Sequence, residues 1–168
     1  GVPAGDSLSK SIDDYQIAFD VLFKCVVHTS SIALKRMKDK GWGRIINLTS
    51  ISVKEPLNYL VLSNTIRAAV VTWGKSLSVD LAPYGVTVNS IITGFIDTEH
   101  LDHLNQQKAK NLNVSVSEVL EGIKSSIPSN RLGDPSEMGS LATFLASDKA
   151  SYITGTAIPI DGGFLRSI

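Results

Sequence analysis

The chain has too few cysteines for a redox pair, too even a charge for a nucleic-acid surface and too few bulky runs for a membrane span. Cys25 is the one cysteine in 168 residues, so no intrachain disulfide or cysteine metal cluster can be built from it. Its place in an apolar helical stretch reads as a buried thiol. Sixteen Lys and Arg balance sixteen Asp and Glu. With no block of one sign standing apart, a nucleic-acid partner is disfavoured. No run approaches the roughly 20 apolar residues of a spanning helix, and Gly1-Val2-Pro3-Ala4-Gly5-Asp6 lacks the basic and apolar regions of a signal peptide. A cytoplasmic protein without a membrane partner is expected. Internal repeats and low-complexity tracts are also missing.

What is present suffices for a core: 43% of residues are hydrophobic and 19% charged, the balance of a globular domain. From Ser11 to about Lys40, Ile17, Ala18, Val21, Leu22, Cys25, Val26, Ile32, Leu34 and Met37 recur at helical spacing, with Ser11 as N-cap. Gly41-Trp42-Gly43 breaks that helix. Arg44 to Ser50 is short, β-rich and nearly continuous in apolar character at its start, as a strand covered on both faces should be. A second helical pattern runs from about Leu60 to Leu81 and stops at Pro83 and Gly85; the strand Val86 to Ile92 follows. Residues 95–129 are polar and flanked by Gly and Pro, which suits a substrate lid inserted over a rigid sheet or an ordinary two-helix excursion. Pro135-Ser136-Glu137 opens a helix to about Ala146, and Ala157 to Ile160 forms a last strand. Strands separated by helices of this length run parallel, so the expected fold is α/β, a Rossmann-like doubly wound parallel sheet with function at the strand carboxyl ends.

Several strings resemble the C-terminal part of short-chain dehydrogenases/reductases, especially the β-ketoacyl-acyl-carrier-protein reductase type. They are Gly43-Arg44-Ile45-Ile46-Asn47-Leu48-Thr49-Ser50, Leu81-Ala82-Pro83-Tyr84-Gly85-Val86-Thr87-Val88-Asn89 and Gly94-Phe95-Ile96-Asp97-Thr98. Arg131-Leu132-Gly133-Asp134-Pro135, and Tyr152-Ile153-Thr154-Gly155 through Asp161-Gly162-Gly163, complete the set. They come in family order and cover nearly the whole chain. The resemblance implies that residues 1–168 form strands five to seven of the sheet with their helices, a partial domain without the glycine-rich turn that receives the cofactor pyrophosphate. The close glycine pairs here, Gly41/Gly43 and Gly162/Gly163, do not sit between a strand and a helix N-terminus and read as turns. Strands supplied from elsewhere are expected to cover the outer edge of Arg44–Ser50, since an open apolar edge invites aggregation.

The resemblance also implies an NAD- or NADP-dependent oxidoreductase acting on a small-molecule ketone or secondary alcohol, for example a 3-oxoacyl compound. Ser50 matches the family serine that polarises the carbonyl. Ungapped alignment places Ser63 at the proton-donating tyrosine, Arg67 at the lysine that holds the nicotinamide ribose, and Leu22 at the asparagine of a water relay. A serine hydroxyl has no accessible pKa near neutrality and leucine carries no proton, so the usual mechanism should fail or run slowly. Arg67 keeps the charge, and its planar fork suits a ribose, carboxylate or phosphate. Tyr59, Ser63 and Arg67 are four apart: Tyr59 is a substitute donor if the helix starts early enough, and otherwise a loop residue covering its start. Ser52 and Lys54 read as solvent-facing loop residues. Gly94, Ile96 and Thr98 match the segment that contacts the nicotinamide carboxamide, and Thr98 equally suits an N-cap. His100 and His103, three apart beside Asp97, Glu99 and Asp102, read as a solvated lid rather than a metal site. His28 suits packing or an interface. In the family the helices at 12–40 and 60–82 pack against their symmetry mates, so a homo-oligomer is expected, with Phe19, Phe23, Val71 and Trp73 as candidate surface. A non-catalytic relative kept for ligand binding or assembly is the alternative that Ser63 and Leu22 favour.

Overall fold

The computed structural model describes residues 2–167. It begins at a helix whose start the sequence specifies. The Asp14 N–H donates to Ser11 Oγ at 3.2 Å while the Asp14 carboxylate accepts the Ser11 N–H at 2.9 Å, a reciprocal capping box that satisfies two donors the first turn cannot use internally. Helix α1 (Ile12–Phe19) passes through one π-helical turn, Asp20–Lys24, into α2 (Cys25–Lys40). Strand β1 (Gly43–Leu48), helix α3 (Val61–Leu81) and strand β2 (Val86–Thr93) follow. Helices α4 (Glu99–Leu112), α5 (Val116–Ser126) and α6 (Pro135–Ala146) lead to strand β3 (Ala157–Ile160).

The sheet order is β1-β2-β3 and both pairings are parallel, with Gly43 opposite Val86, Leu48 opposite Ile91, and Ser90 opposite Ala157. The central strand β2 is buried at every residue from Val86 to Ile92, because helices cover both its faces, so Thr87, Asn89 and Ser90 are buried along with its apolar residues. On one face Ile45, Val86, Val88 and Leu81 pack with Leu34, Met37 and Leu77 from α2 and α3. On the other, Ile91 and Leu145 pack with Met138, Leu141 and Ile158 beneath α6. Helices thus cover both faces, the doubly wound arrangement that the alternation of strands and helices predicted. The turn before β3 is fastened from the middle of β2. Asn89 donates its amide to the Ile153 carbonyl at 2.8 Å and accepts from Thr156 through its Oδ1, so a buried amide in an apolar strand is satisfied by the loop it holds.

Two expectations change. Cys25 is exposed, not buried; its thiol donates to the Val21 carbonyl at the π turn. Helical periodicity marks an apolar stripe, but α1 and α2 touch the rest of this chain along only part of it. The same geometry overturns the statement that no run is apolar enough to span a membrane: Ile12–Lys40 contains an 18-residue window of mean hydropathy 1.6, only 11% of it buried. By length and composition this helix is long and apolar enough. The polar segment 95–129 folds as two capped helices, which suits an ordinary two-helix excursion as well as a lid. Thr98 and Ser115 cap α4 and α5, and Ala109, Val119, Ile123 and Ile127 form their own small core with Phe95, Leu132 and Phe164.

Within this chain β1 is an edge strand, and the described residues place no strand on its outer side. A recess of about 390 Å³ lies along that edge between β1, the π-helical turn, α2 and α3, walled by Leu22, Cys25, Ile46, Leu48 and Arg67 among others.

Candidate active site

The candidate residues lie just beyond the carboxyl ends of β1 and β2 and on the first half of α3. Thr49 leaves β1 still tied to β2, its N–H and hydroxyl both donating to the Ile91 carbonyl at 2.8 and 3.0 Å. Ser50 then turns the chain. Its backbone is extended and its Oγ accepts the Ser52 N–H at 3.2 Å, starting a short 3-10 turn over Ile51–Val53. Ser52 is therefore buried, contrary to the solvent-facing reading, and its hydroxyl finds no partner among the described residues. Lys54 is exposed as expected.

Helix α3 presents Ser63 and Arg67 one turn apart. Arg67 Nε donates to Ser63 Oγ at 3.2 Å and Nη1 donates to the Leu48 carbonyl at 3.1 Å. That second bond ties α3 to β1 two residues before Ser50. No carboxylate pairs with Arg67 among the described residues; the ion pairs formed are Lys24–Asp20, Arg44–Asp148, Lys124–Glu121 and Arg131–Glu137. Burial alone lowers the Arg67 pKa from its ordinary value, and a guanidinium keeps its charge through such a shift.

Tyr59 does not join them. The helix begins at Val61, two residues too late, and Tyr59 sits in a left-handed conformation (φ 60°) with 67% of its surface exposed. The cause is a clamp from the N-terminal segment: the Gly5 N–H donates to the Tyr59 carbonyl at 2.6 Å and the Val61 N–H to the Gly5 carbonyl at 3.3 Å. Asn64 adds a bond from its amide to the Leu57 carbonyl at 2.9 Å. Sequence reasoning passed over this anchor, and only the Asn one turn into α3 hinted at it. Leu22, in the relay position, packs against Ala18, Leu62 and Ile66 and is part of an apolar cluster.

At the end of β2, Gly94 donates to the Ile160 carbonyl at 3.0 Å. A Cβ there would lie 2.7 Å from Asp161 Cα, so only glycine lets the two strand ends close. Ile96 is buried and makes a one-residue parallel bridge to Gly133, while its own N–H finds no acceptor among the described residues. Thr98 is the N-cap of α4: its Oγ1 accepts the Leu101 N–H at 3.3 Å and donates to the Ile96 carbonyl at 3.4 Å. The histidines His100 and His103 are exposed, and no group of three metal-ligating side chains converges among the described residues.

With this geometry in hand, the comparison with known proteins is specific. Residues 2–165 match the family model described as Enoyl-(Acyl carrier protein) reductase. The chain belongs to the short-chain dehydrogenase/reductase family. It is 35% identical over 158 residues to the NADPH-dependent reductase BacG of Bacillus subtilis (strain 168), covering 94% of this chain and 61% of that protein. It is 37% identical over 157 residues to the 3-oxoacyl-(acyl-carrier-protein) reductase FabG of Haemophilus influenzae, covering 89% of this chain and 58% of the relative. The crystal structure of YwfH, an NADPH-dependent reductase involved in bacilysin biosynthesis, superposes with a TM-score of 0.94 at 33% identity, over 100% of this chain and 65% of that one. This short-chain dehydrogenase/reductase chain thus spans roughly three-fifths of the length of the curated relatives it matches.

Proposed function

We propose that the protein carrying this chain is an NAD(P)-dependent reductase of a ketone, or dehydrogenase of the matching secondary alcohol, in which Ser50 and Ser63 hold the carbonyl oxygen. The observation that carries the reading is the bond from Arg67 Nε to Ser63 Oγ. Because Ser63 oxygen accepts from a cation, its own proton is free to point away from Arg67, and the hydroxyl is polarised toward donation. Ser50 is arranged the same way, its oxygen occupied by the Ser52 N–H and its proton left over. Two hydroxyls, each fixed by a donor behind it, make a site for the negative charge that develops on a carbonyl oxygen under hydride attack. Ser63 is the proton source for the resulting alkoxide, recharged from solvent at the site mouth. The missing phenol is replaced by a cation-backed alcohol.

When bound, the nicotinamide cofactor supplies the hydride to the carbonyl carbon. Residues to hold it are Gly94, Ile96 and Thr98, where the side-chain-free approach at Gly94 and the uncommitted Ile96 N–H suit a planar carboxamide, with Arg67 beside the ribose. BacG and YwfH are NADPH-dependent reductases, which supports that choice of cofactor, and the 3-oxoacyl reductase FabG supports a 3-oxoacyl compound as one substrate class to try. The second reading, a relative that binds cofactor without turnover, is favoured by Leu22 lying in an apolar cluster where a relay would need a polar group. The double variant Ser63→Tyr with Arg67→Lys separates the two. If the natural protein oxidises NADPH with a ketone, the reductase reading stands; if only the double variant does, the non-catalytic reading replaces it.

A further inference from the structure

Beyond β3 the chain turns back across the sheet. Asp161 makes the turn: its Oδ1 accepts the Gly163 N–H and its Oδ2 the Leu165 N–H, both at 2.9 Å, over Gly162 and Gly163 with φ of 64° and 87°. Strand β2 lies between β3 and β1, and the path crosses it. Phe164 meets Phe95, just past β2, edge-on with ring centroids 5.3 Å apart. The next residues reach the loop beyond β1, where Glu55 Oε1 accepts the Arg166 N–H at 2.9 Å and the Ser167 N–H at 3.2 Å. A carboxylate that takes two backbone donors is a charge-assisted tie, stronger than a neutral one. At the other anchor Phe164 packs against the small core of Ala109, Val119, Ile123 and Ile127.

The loop that ends at Glu55 begins at Ser50. Within it the Val53 N–H donates to the Ser50 carbonyl at 3.1 Å, and the Lys54 and Glu55 N–H groups donate to the Ile51 carbonyl at 3.0 and 3.1 Å. With the Ser52 N–H on Ser50 Oγ, residues 50–55 form one hydrogen-bonded unit. A tether on Glu55 therefore restrains the backbone that aims the Ser50 hydroxyl. We infer that Glu55 is a positioning residue for Ser50, and that residues 164–167 are the strap through which it joins this loop to α4 and α5. This rests on the reductase reading of Ser50. Glu55 itself touches neither the carbonyl nor the cofactor. It fixes the direction of a hydroxyl, and a misplacement of about 1 Å at a reacting centre costs up to about 100-fold in rate.

The test is amide hydrogen exchange, read by mass spectrometry, in the protein carrying this chain. Glu55→Ala should speed exchange about tenfold at residues 53–55 as well as at 165–167, the loss of one charge-assisted tie. Glu55→Gln, whose amide oxygen can still accept both N–H groups, should lie between wild type and Glu55→Ala. Exchange at 53–55 that stays at the wild-type rate in Glu55→Ala overturns the inference. If that variant does not fold, the same reading is taken from Phe164→Leu, which loosens the strap at its other anchor. Turnover separates positioning from plain stability. Per folded protein, Glu55→Ala should lower kcat for a ketone about tenfold and leave KM within about threefold, and it should cost nothing further in a Ser50→Ala background. An equal penalty with and without Ser50 overturns the positioning role. A natural protein that reduces no ketone sinks the reductase reading, and the exchange rates then still decide whether Glu55 holds the loop.

Discussion

Serine has a hydroxyl too weakly acidic to act as tyrosine does, and the structure shows what accompanies it here: an arginine one turn on whose Nε is already bonded to it. The pair is cooperative in a checkable sense, since neither residue does its proposed work alone. Ser63→Ala and Arg67→Met should each slow ketone reduction, and their combination should cost little more than the worse single change; rates from the four proteins of that cycle test it. A second residue-scale case is structural. Arg131 grips Glu137 with two bonds of 2.8 Å, and Glu137 also accepts the Asp134 N–H at the start of α6. These bonds, the arginine's first, hold the Glu137 carboxyl down to about 2 from an ordinary 4.5. A lowered folded-state pKa adds stability above the unfolded value and loses it as pH falls through the folded one. Glu137→Gln should therefore melt below wild type at neutral pH, with the gap closing between about pH 4.5 and pH 2; melting curves across that range decide it.

At the scale of elements, what was legible in the sequence was punctuation. Ser11, Thr98 and Pro135 start helices where their chemistry says they should, and Gly85 (φ 67°) ends the turn after α3, where an added Cβ would strike the Gly41 carbonyl. The parallel strands followed from their spacing. What was not legible came from contacts distant in sequence. Nothing local to Tyr59 says that Gly5 will hold it out of the helix. Nothing in the loop after Ser50 says that a 3-10 turn will bury Ser52. Of the site itself, the family strings put Ser50 and Gly94 just past strand ends and ungapped spacing put Ser63 and Arg67 on the next helix, but the Arg67 bond to Leu48 needed coordinates. Two element-scale outcomes follow. Leu62, 1% exposed in the cluster that joins α1 to α3, should cost about 2–5 kcal/mol when cut to Ala, read by urea unfolding. A Cβ at Gly74 would lie 2.9 Å from the Asn47 amide, so Gly74→Val should push α3 off β1 and destabilise by about 1–3 kcal/mol, and it should lower activity beyond the loss of folded protein, because α3 carries Ser63 and Arg67.

For the molecule as a whole, the apolar stripe on Ile12–Lys40 is too exposed to be explained by this chain alone. Phe23 packs edge-on to Trp73 at 6.2 Å, which uses part of the candidate surface internally, while Phe19 stacks on Phe23 and stays 39% exposed. Our proposal is that a second copy covers the rest through the helices at 12–40 and 60–82, consistent with the need to remove such patches from water. Sedimentation should then give a dimer or larger, and Phe19→Lys should shift it toward monomer. In the proposed site two serines, each backed by a fixed donor, replace the phenol of the family. The most direct measurement is the rate of NADPH oxidation with a ketone by the natural protein and by Ser63→Ala. The account predicts turnover by the former and a loss of about 100-fold in the latter; equal rates in the two proteins would contradict it.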